Sequence, residues 1–184
     1  GQNHFKNAVI ETGGKNGIII DSSADLDEAV LGVRHSAFGY SGQKCSAASR
    51  VIVVGKNPDF VTRLIESTRS LNVGDSGLPH VDMGPVSSQG AFDKIKELYE
   101  QGIEDGARVI FPAKFDDSTG FYVGPSILEI DSSNVLASEE VFGPVLGVTT
   151  FKDFDEALRI MNDTRFALTA GIYSRTPSNI EKFK

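Results

Sequence analysis

The sequence predicts an α/β fold in which a mostly parallel sheet is flanked by helices. Short apolar, β-branched runs alternate along the chain with segments whose apolar residues recur at helical spacing. The chain has 184 residues, of which 40% are hydrophobic, and this is enough to bury the core of a domain. Neither internal repeats nor low-complexity tracts divide the sequence, so we expect residues 1–184 to form one domain.

The first half of the chain is predicted to form two strands and two helices in alternation. The run Gly17-Ile18-Ile19-Ile20-Asp21 is β-branched and apolar, which is typical of a buried strand. Asp25 is placed to cap a helix from Leu26 to Phe38, whose apolar residues share one face. A loop then leads into a strand over Ser49–Val54. The pair Asn57-Pro58 opens the second helix, because proline is favoured at the first helical position.

The middle of the chain begins with a segment rich in glycine and proline. Asn72–Ser88 contains five such residues and is predicted to be a long surface connection. Ser88 can start a helix that runs to about Gly102. Strands are expected over Ala107–Phe111 and Phe121–Ile130, with the turn-rich stretch Lys114–Gly120 between them.

The last part of the chain is predicted to contain a helix, a strand and the start of another helix. Asp153 is placed to cap the helix Phe154–Met161, and Ala167–Tyr173 forms the final strand. Thr176 is the expected N-cap of the last helix, and Pro177 its first residue.

Composition excludes several classes of partner. The chain has 18 basic and 25 acidic residues without a basic run, so nucleic acid and anionic membrane surfaces are poor partners. No apolar run is long enough to cross a bilayer. A single cysteine excludes an internal disulfide and favours a reducing, cytoplasmic location. The three histidines do not have the spacing of a metal site.

Cys45 is the only cysteine and lies in Gly42-Gln43-Lys44-Cys45-Ser46-Ala47. A cysteine attacks a carbonyl as the thiolate, at a position that a substrate can reach. Glycine in the preceding loop lets the backbone approach a substrate closely, and the N–H of Cys45 could help to hold an oxyanion. The alternative is a small buried hydrophobic residue, which is the usual role of a free cysteine. The polar, glycine-containing surroundings weigh against that alternative.

Glu11 follows the apolar run Ala8-Val9-Ile10 and precedes Gly13-Gly14. A carboxylate that leaves a strand into a glycine turn can be partly desolvated, which suits a general base. The alternative is a solvated glutamate before a tight turn.

A third motif is Glu139-Glu140-Val141-Phe142-Gly143-Pro144-Val145. Glu140 could accept hydrogen bonds from a ribose diol, as acidic side chains do in other dinucleotide sites, with Phe142 packing close by. The alternative is exposed charge beside a core phenylalanine. The chain contains no G-x-G-x-x-G segment, so the usual dinucleotide fingerprint is absent from the sequence.

In this order, the Glu11, Cys45 and Glu140 motifs resemble the aldehyde dehydrogenase superfamily. Further stretches resemble its 1-pyrroline-5-carboxylate dehydrogenase branch, which oxidises glutamate γ-semialdehyde to glutamate. These stretches are Ser36–Tyr40, Cys45–Arg50 and Met83–Val86.

The resemblance implies roles for four residues in catalysis and cofactor binding. Cys45 would be the nucleophile, and Glu11 the base that hydrolyses a thioester. Glu140 and Phe142 would contact the nicotinamide-side ribose and ring of NAD, with NADP as the alternative cofactor.

The resemblance also implies a substrate site for a small aldehyde. Ser46 would bind the carboxylate of the substrate, together with a turn at Ala170-Gly171. The branch often has Gly-Ala where this chain has Ala-Gly. Phe38 is a further candidate for the aldehyde pocket.

The same resemblance implies that residues 1–184 are most of an aldehyde dehydrogenase catalytic domain, truncated at both ends. A Rossmann-type NAD domain would precede it, a short segment would follow it, and the isolated chain would be inactive. The parent protein is expected to be a homo-oligomer, either separate from or fused to a proline dehydrogenase. Two alternatives stay open: a dehydrogenase for another small aldehyde or semialdehyde, and a non-catalytic α/β scaffold module.

Overall fold

The computed structural model describes residues 7–184, in which strands and helices alternate. The strands are β1 (Asn16–Ile20), β2 (Ala48–Val54), β3 (Arg108–Phe111), β4 (Phe115–Asp116), β5 (Tyr122–Val123), β6 (Ser126–Glu129), β7 (Val145–Phe151) and β8 (Ala170–Tyr173). The α-helices are α1 (Leu26–Phe38), α2 (Pro58–Arg69), α3 (Gln89–Glu104), α4 (Val135–Ser138), α5 (Phe154–Asn162) and α6 (Pro177–Phe183).

Six of these strands form one mixed sheet in the order β3-β6-β7-β2-β1-β8. The five strands from β6 to β8 in this order are parallel, and β3 joins the β6 edge antiparallel. The short strands β4 and β5 pair with each other outside this sheet. The prediction of a mostly parallel sheet flanked by helices is confirmed.

Helices pack on both faces of the sheet, because neighbouring residues of a strand point in opposite directions. Ile18 and Ile20 join the cluster formed with α1 and α2, whereas Ile19 joins the cluster formed with α5. A third cluster joins α3 and α4 to Leu128 and Ile130. The run of isoleucines is therefore buried on both sides, as expected of a central parallel strand.

Three of the four expected helix caps are present. The side chains of Asp25, Ser88 and Asp153 each accept a hydrogen bond from a backbone N–H in the first turn of α1, α3 and α5. Thr176 makes no capping hydrogen bond to α6 and instead donates its hydroxyl to Ser23 Oγ, at 2.9 Å.

The prediction of one continuous strand over Phe121–Ile130 is wrong. The segment breaks at Gly124-Pro125 into β5 and β6, which belong to different sheets. Proline has no N–H to offer a strand partner, and Gly124 N–H donates to Lys114 O at 2.8 Å. The stretch Lys114–Gly120, predicted as turns alone, contains β4.

The structure also contains a central strand that the sequence analysis did not identify. β7 lies between β6 and β2, and Gly147 and two threonines interrupt its apolar pattern.

The final strand begins at Ala170 rather than Ala167. The connection 72–88 contains no helix or regular strand, but it is not wholly superficial, because Met83 and Val86 are buried.

Asp21 fastens the carboxyl end of β1 to the last part of the chain. Its carboxylate accepts hydrogen bonds from Ser23 Oγ at 2.8 Å, Ser174 Oγ at 2.5 Å and Asn179 Nδ2 at 3.2 Å. β8 has β1 as its one strand partner within residues 7–184. These bonds therefore help to set the position of β8 and of the turn that precedes it.

No helix in the described part of the chain is long and apolar enough to cross a membrane.

Candidate active site

The residues with predicted roles lie mostly at the amino ends of four neighbouring strands. Cys45 lies three residues before β2, Phe142 three residues before β7, and Ala170 begins β8. The strands β7, β2, β1 and β8 are adjacent and parallel, so their amino ends meet at one edge of the sheet. Open α/β sheets usually bind ligands at the opposite, carboxyl edge.

A left-handed turn delivers the cysteine to this edge. Tyr40, Ser41 and Gly42 have φ angles of 59°, 56° and 69°. Such angles are uncommon for residues with a side chain, so this turn is strained and has to be held by its surroundings. A Cβ on Gly42 would lie 2.4 Å from the carbonyl oxygen of Gly143, so glycine is needed where the turn meets the third motif.

Two hydrogen bonds hold this turn against the connection 72–88. Ser41 Oγ donates to Gly84 O at 2.7 Å, and Ser87 N–H donates to Gln43 Oε1 at 2.8 Å. The resemblance at Met83–Val86 therefore falls on a segment that supports the left-handed turn before Cys45.

Cys45 is exposed in a reverse turn at residues 44–47, the cysteine turn. Ala47 N–H donates to Lys44 O at 3.0 Å and closes the turn. The thiol is exposed, so the interpretation of Cys45 as a buried hydrophobic residue is excluded. Ser46, the predicted contact of the substrate carboxylate, is exposed beside it.

Glu11 is solvated in an irregular segment. The expected strand over Ala8–Ile10 is absent, and the side chains of Val9 and Ile10 are 87% and 80% exposed. No strand within residues 7–184 pairs with this segment, so Glu11 is not desolvated as expected. The segment nevertheless reaches the cysteine turn, because a Cβ on Gly14 would lie 2.2 Å from Cys45 O.

Glu140 joins the third motif to the first. Its Oε1 accepts a hydrogen bond from Gly14 N–H at 2.7 Å, across 126 positions of the sequence. Its carboxylate also lies against Gly13, where a Cβ would meet Oε2 at 2.4 Å. Phe142 has a φ of 57° and is 41% exposed, so the alternative of a core phenylalanine is excluded.

Lys15 is a buried lysine next to this junction, and the sequence analysis assigned it no role. Only 3% of the residue is exposed. Burial, helped by the nearby charge of Arg50, lowers the pKa of Lys15 from 10.5 to about 7, although Glu140 and Glu139 oppose the shift. A lysine placed directly before an apolar strand is the signal that could have indicated its burial.

Asn16 is the second residue that the sequence analysis missed. It is 4% exposed and contacts both the cysteine turn and the segment before β8. A polar side chain at the start of an otherwise apolar strand was the available signal.

The remaining predicted residues differ in accessibility. Ala170 is exposed and borders a cavity of about 340 Å³ that Leu168 and Thr169 also line, and Gly171 follows it in β8. Phe38, the last residue of α1, is 1% exposed and packs in the core with α2, and its role in an aldehyde pocket stays a prediction. Within the described residues, no group of three or more His, Cys, Asp or Glu side chains could hold a metal ion.

Comparison with known proteins gives a consistent result. The profile of the aldehyde dehydrogenase family matches residues 1–184. A 1-pyrroline-5-carboxylate dehydrogenase of Geobacillus thermodenitrificans is 44% identical over an alignment of 184 positions, which covers 99% of this chain and 36% of that protein. The chain thus spans about a third of the length of this curated relative.

Two solved structures are similar in fold and sequence. The 1-pyrroline-5-carboxylate dehydrogenase from Thermus with bound NAD superposes with a TM-score of 0.91 at 40% identity, over 99% of this chain and 35% of that one. Proline utilization A (PutA) from Bdellovibrio bacteriovorus, inactivated by N-propargylglycine, has a TM-score of 0.91 at 46% identity, over 99% of this chain and 19% of that one.

Proposed function

The chain belongs to the aldehyde dehydrogenase family, and from this premise we propose that it is the cysteine-bearing catalytic part of a 1-pyrroline-5-carboxylate dehydrogenase. The reaction is the NAD-dependent oxidation of glutamate γ-semialdehyde to glutamate in proline catabolism. One observation carries the proposal: Cys45 is exposed, its carbonyl lies against Gly14, and Gly42, three residues before it, lies against Gly143. A scaffold module would have no need to expose its thiol at such a junction.

In this proposal Cys45 Sγ, as the thiolate, adds to the aldehyde carbon and forms a hemithioacetal. The N–H of Cys45 helps to hold the oxyanion. Loss of hydride from that carbon leaves a thioester on Cys45, and Glu11 removes a proton from the water that hydrolyses it. Glu11 is exposed to water, and it lies three residues before Gly14, which is in close contact with Cys45 O.

The residues present fit the nicotinamide end of NAD. Glu140 uses Oε1 to accept from Gly14 N–H, and Oε2 has no hydrogen-bond donor among residues 7–184, so it is available to a ribose hydroxyl. The exposed ring of Phe142 offers an apolar surface nearby. When bound, NAD supplies the acceptor for the hydride. The phosphates and the adenine of NAD need binding groups that these motifs do not contain. NADP stays the alternative cofactor.

For the substrate, Ser46 and the backbone at Ala170-Gly171 are proposed to bind the carboxylate. Ser46 is exposed beside the nucleophile, and Ala170 is exposed at the same edge of the sheet. A carboxylate-bearing aldehyde therefore has candidate contacts at both of its ends.

We also propose that the parent protein contains further parts besides this chain. The chain covers 36% of a curated relative, which supports a separate NAD domain and a following segment outside residues 1–184. The likeness to PutA, of which the chain covers 19%, supports fusion to proline dehydrogenase as one form of the parent. We place this parent in the cytoplasm as a homo-oligomer.

The test is NADH production by the full-length protein, offered glutamate γ-semialdehyde and a panel of simple aldehydes. We expect selective turnover of the semialdehyde, and we expect Cys45→Ala to abolish it. Glu11→Gln should release one equivalent of NADH and then stop, with an acyl group left on Cys45 that intact-mass spectrometry detects.

Other results would favour the alternatives. Preference for a different aldehyde would keep the mechanism and replace the substrate. A folded protein that binds NAD and turns over no aldehyde would favour a scaffold module.

A further inference from the structure

Asn16 connects two parts of the candidate site that are far apart in sequence. Its Nδ2 donates to Cys45 O at 2.7 Å and to Ala47 O at 2.8 Å. Its Oδ1 accepts from Thr169 N–H at 3.1 Å, across 153 positions. The opposite orientation of the amide would place its oxygen against two carbonyls, so this orientation alone satisfies all three bonds.

The backbone around Asn16 shows why a side chain has to make these contacts. Asn16 pairs with Ala48 whereas Gly17 pairs with Arg50, so the register of β1 against β2 shifts here. Such a bulge interrupts the regular ladder of backbone hydrogen bonds. The amide of Asn16 thus links β1 to the cysteine turn where the ladder does not.

Gly14 leaves the space that this contact requires. A Cβ at Gly14 would lie 2.2 Å from Cys45 O and 2.9 Å from Asn16 Nδ2. Asn16 is 4% exposed, so water has little access to replace the bonds if they are lost.

We propose that Asn16 is a positioning residue with two separable functions. Its amide nitrogen holds the turn that presents Cys45, and its amide oxygen holds Thr169 next to the carboxylate-binding turn at Ala170-Gly171. The inference rests on the proposed function for what those turns bind, and on hydrogen-bond geometry alone for the connection between them.

Two substitutions in the full-length protein separate the functions. Asn16→Asp keeps an acceptor for Thr169 N–H but turns a carboxylate oxygen toward two carbonyls. We expect kcat to fall about 100-fold, because the nucleophile moves, and KM for glutamate γ-semialdehyde to change less than threefold. Asn16→Ala loses both the amide donor and the amide acceptor, so kcat should fall and KM for this semialdehyde should rise roughly three- to tenfold.

An aldehyde without a carboxylate, such as butanal, separates positioning from general damage. Asn16→Ala should leave the KM of butanal unchanged, because butanal does not use the carboxylate-binding turn. Asn57→Ala and Asn57→Asp are the matched controls, since Asn57 lies beyond the other end of β2 and makes no capping hydrogen bond. Both should have wild-type kinetics.

Hydrogen exchange measured by mass spectrometry tests the connection without any substrate. Thr169 N–H should exchange roughly three- to tenfold faster in Asn16→Ala, and at the wild-type rate in Asn16→Asp. If neither variant folds, Gly14→Ala forces the cysteine turn and the Asn16 amide apart while keeping Asn16, and it should lower kcat with little effect on KM.

The proposal is overturned by folded Asn16 variants whose kcat stays within twofold of wild type, or by a KM that rises equally for both aldehydes. Unchanged Thr169 exchange in Asn16→Ala would overturn it too. If the wild-type protein oxidises neither aldehyde, the proposed function fails, and the exchange rates still decide the role of Asn16.

Discussion

Lys15 is a titratable residue that folding removes from water. Only 3% of it is exposed, and its pKa is lowered from 10.5 to about 7, chiefly by burial. Between these two pH values the unfolded chain binds a proton that the folded chain does not bind. The folded state therefore gains stability as the pH rises through this window, and the cost of burying Lys15 is largest at pH 7 and below.

Replacing Lys15 with an apolar side chain of similar length removes this cost. We expect Lys15→Met to be more stable than the wild type at pH 6.5, and its advantage to shrink by roughly 2 kcal/mol at pH 9. Urea unfolding followed by circular dichroism at both pH values measures the difference. Lys56→Met, at an exposed position, is the matched control and should show no such pH dependence. If the free energies of unfolding of wild type and Lys15→Met change equally with pH, the prediction is contradicted.

The site residues differ in whether the sequence alone could indicate them. Cys45, Glu11 and Glu140 were predicted as site residues because each lies in a short motif, and the three motifs in this order resemble a known family. Asn16 was not identified, because its partners Cys45 and Thr169 are 29 and 153 positions away.

The turn at Gly39–Gly42 is the element on which the presentation of Cys45 depends. It combines left-handed backbone with close packing against Gly143, and these two requirements can be separated. Gly42 and Gly55 both have positive φ angles, of 69° and 77°, but a Cβ at Gly55 would meet no atom within 4 Å.

We expect Gly42→Ala to be more destabilising than Gly55→Ala by about 1–3 kcal/mol. Both substitutions strain the backbone, but only Gly42→Ala also forces the Gly143 backbone to move. Gly42→Ala should also lower kcat/KM, whereas Gly55→Ala should not. Thermal unfolding and steady-state kinetics of the two variants measure this. Equal effects on stability would show that backbone strain alone requires Gly42.

Elements with strong local signals were predicted well, and elements without them were not. α1 has the predicted bounds, because Asp25 caps it and its apolar face is regular. β7 was missed, because Gly147 and two threonines obscure its pattern and its burial comes from neighbours on both sides.

At the scale of the whole molecule, the candidate site lies along one edge of the sheet and is open to solvent. Cys45, Glu11, Phe142 and Ala170 are all exposed. A dehydrogenase has to shield its reacting atoms from water and to hold the entire dinucleotide. In the proposed function, the described residues contact the nicotinamide end of NAD, and the rest of the dinucleotide needs other groups.

We therefore predict that the 184-residue chain alone produces no NADH from any aldehyde, although iodoacetamide still alkylates its exposed Cys45. The full-length protein assayed in parallel is the positive control, and a matched chain with Cys45→Ala is the control for alkylation. Steady NADH production by the isolated chain would show that residues 1–184 hold a complete cofactor site.

The resemblance of the Cys45, Glu11 and Glu140 motifs to a family gave those residues their predicted roles. Local physical chemistry determined the α/β class and the caps of α1, α3 and α5. These features depend on neighbouring residues, so the sequence by itself was sufficient. Only the tertiary structure decided that the amino ends of β1, β2, β7 and β8 meet, that Glu11 is solvated, and that Lys15 and Asn16 are buried between the motifs. The physical reason is that strand order and burial arise from contacts between distant segments, such as the bond from Gly14 N–H to Glu140, which no local pattern encodes.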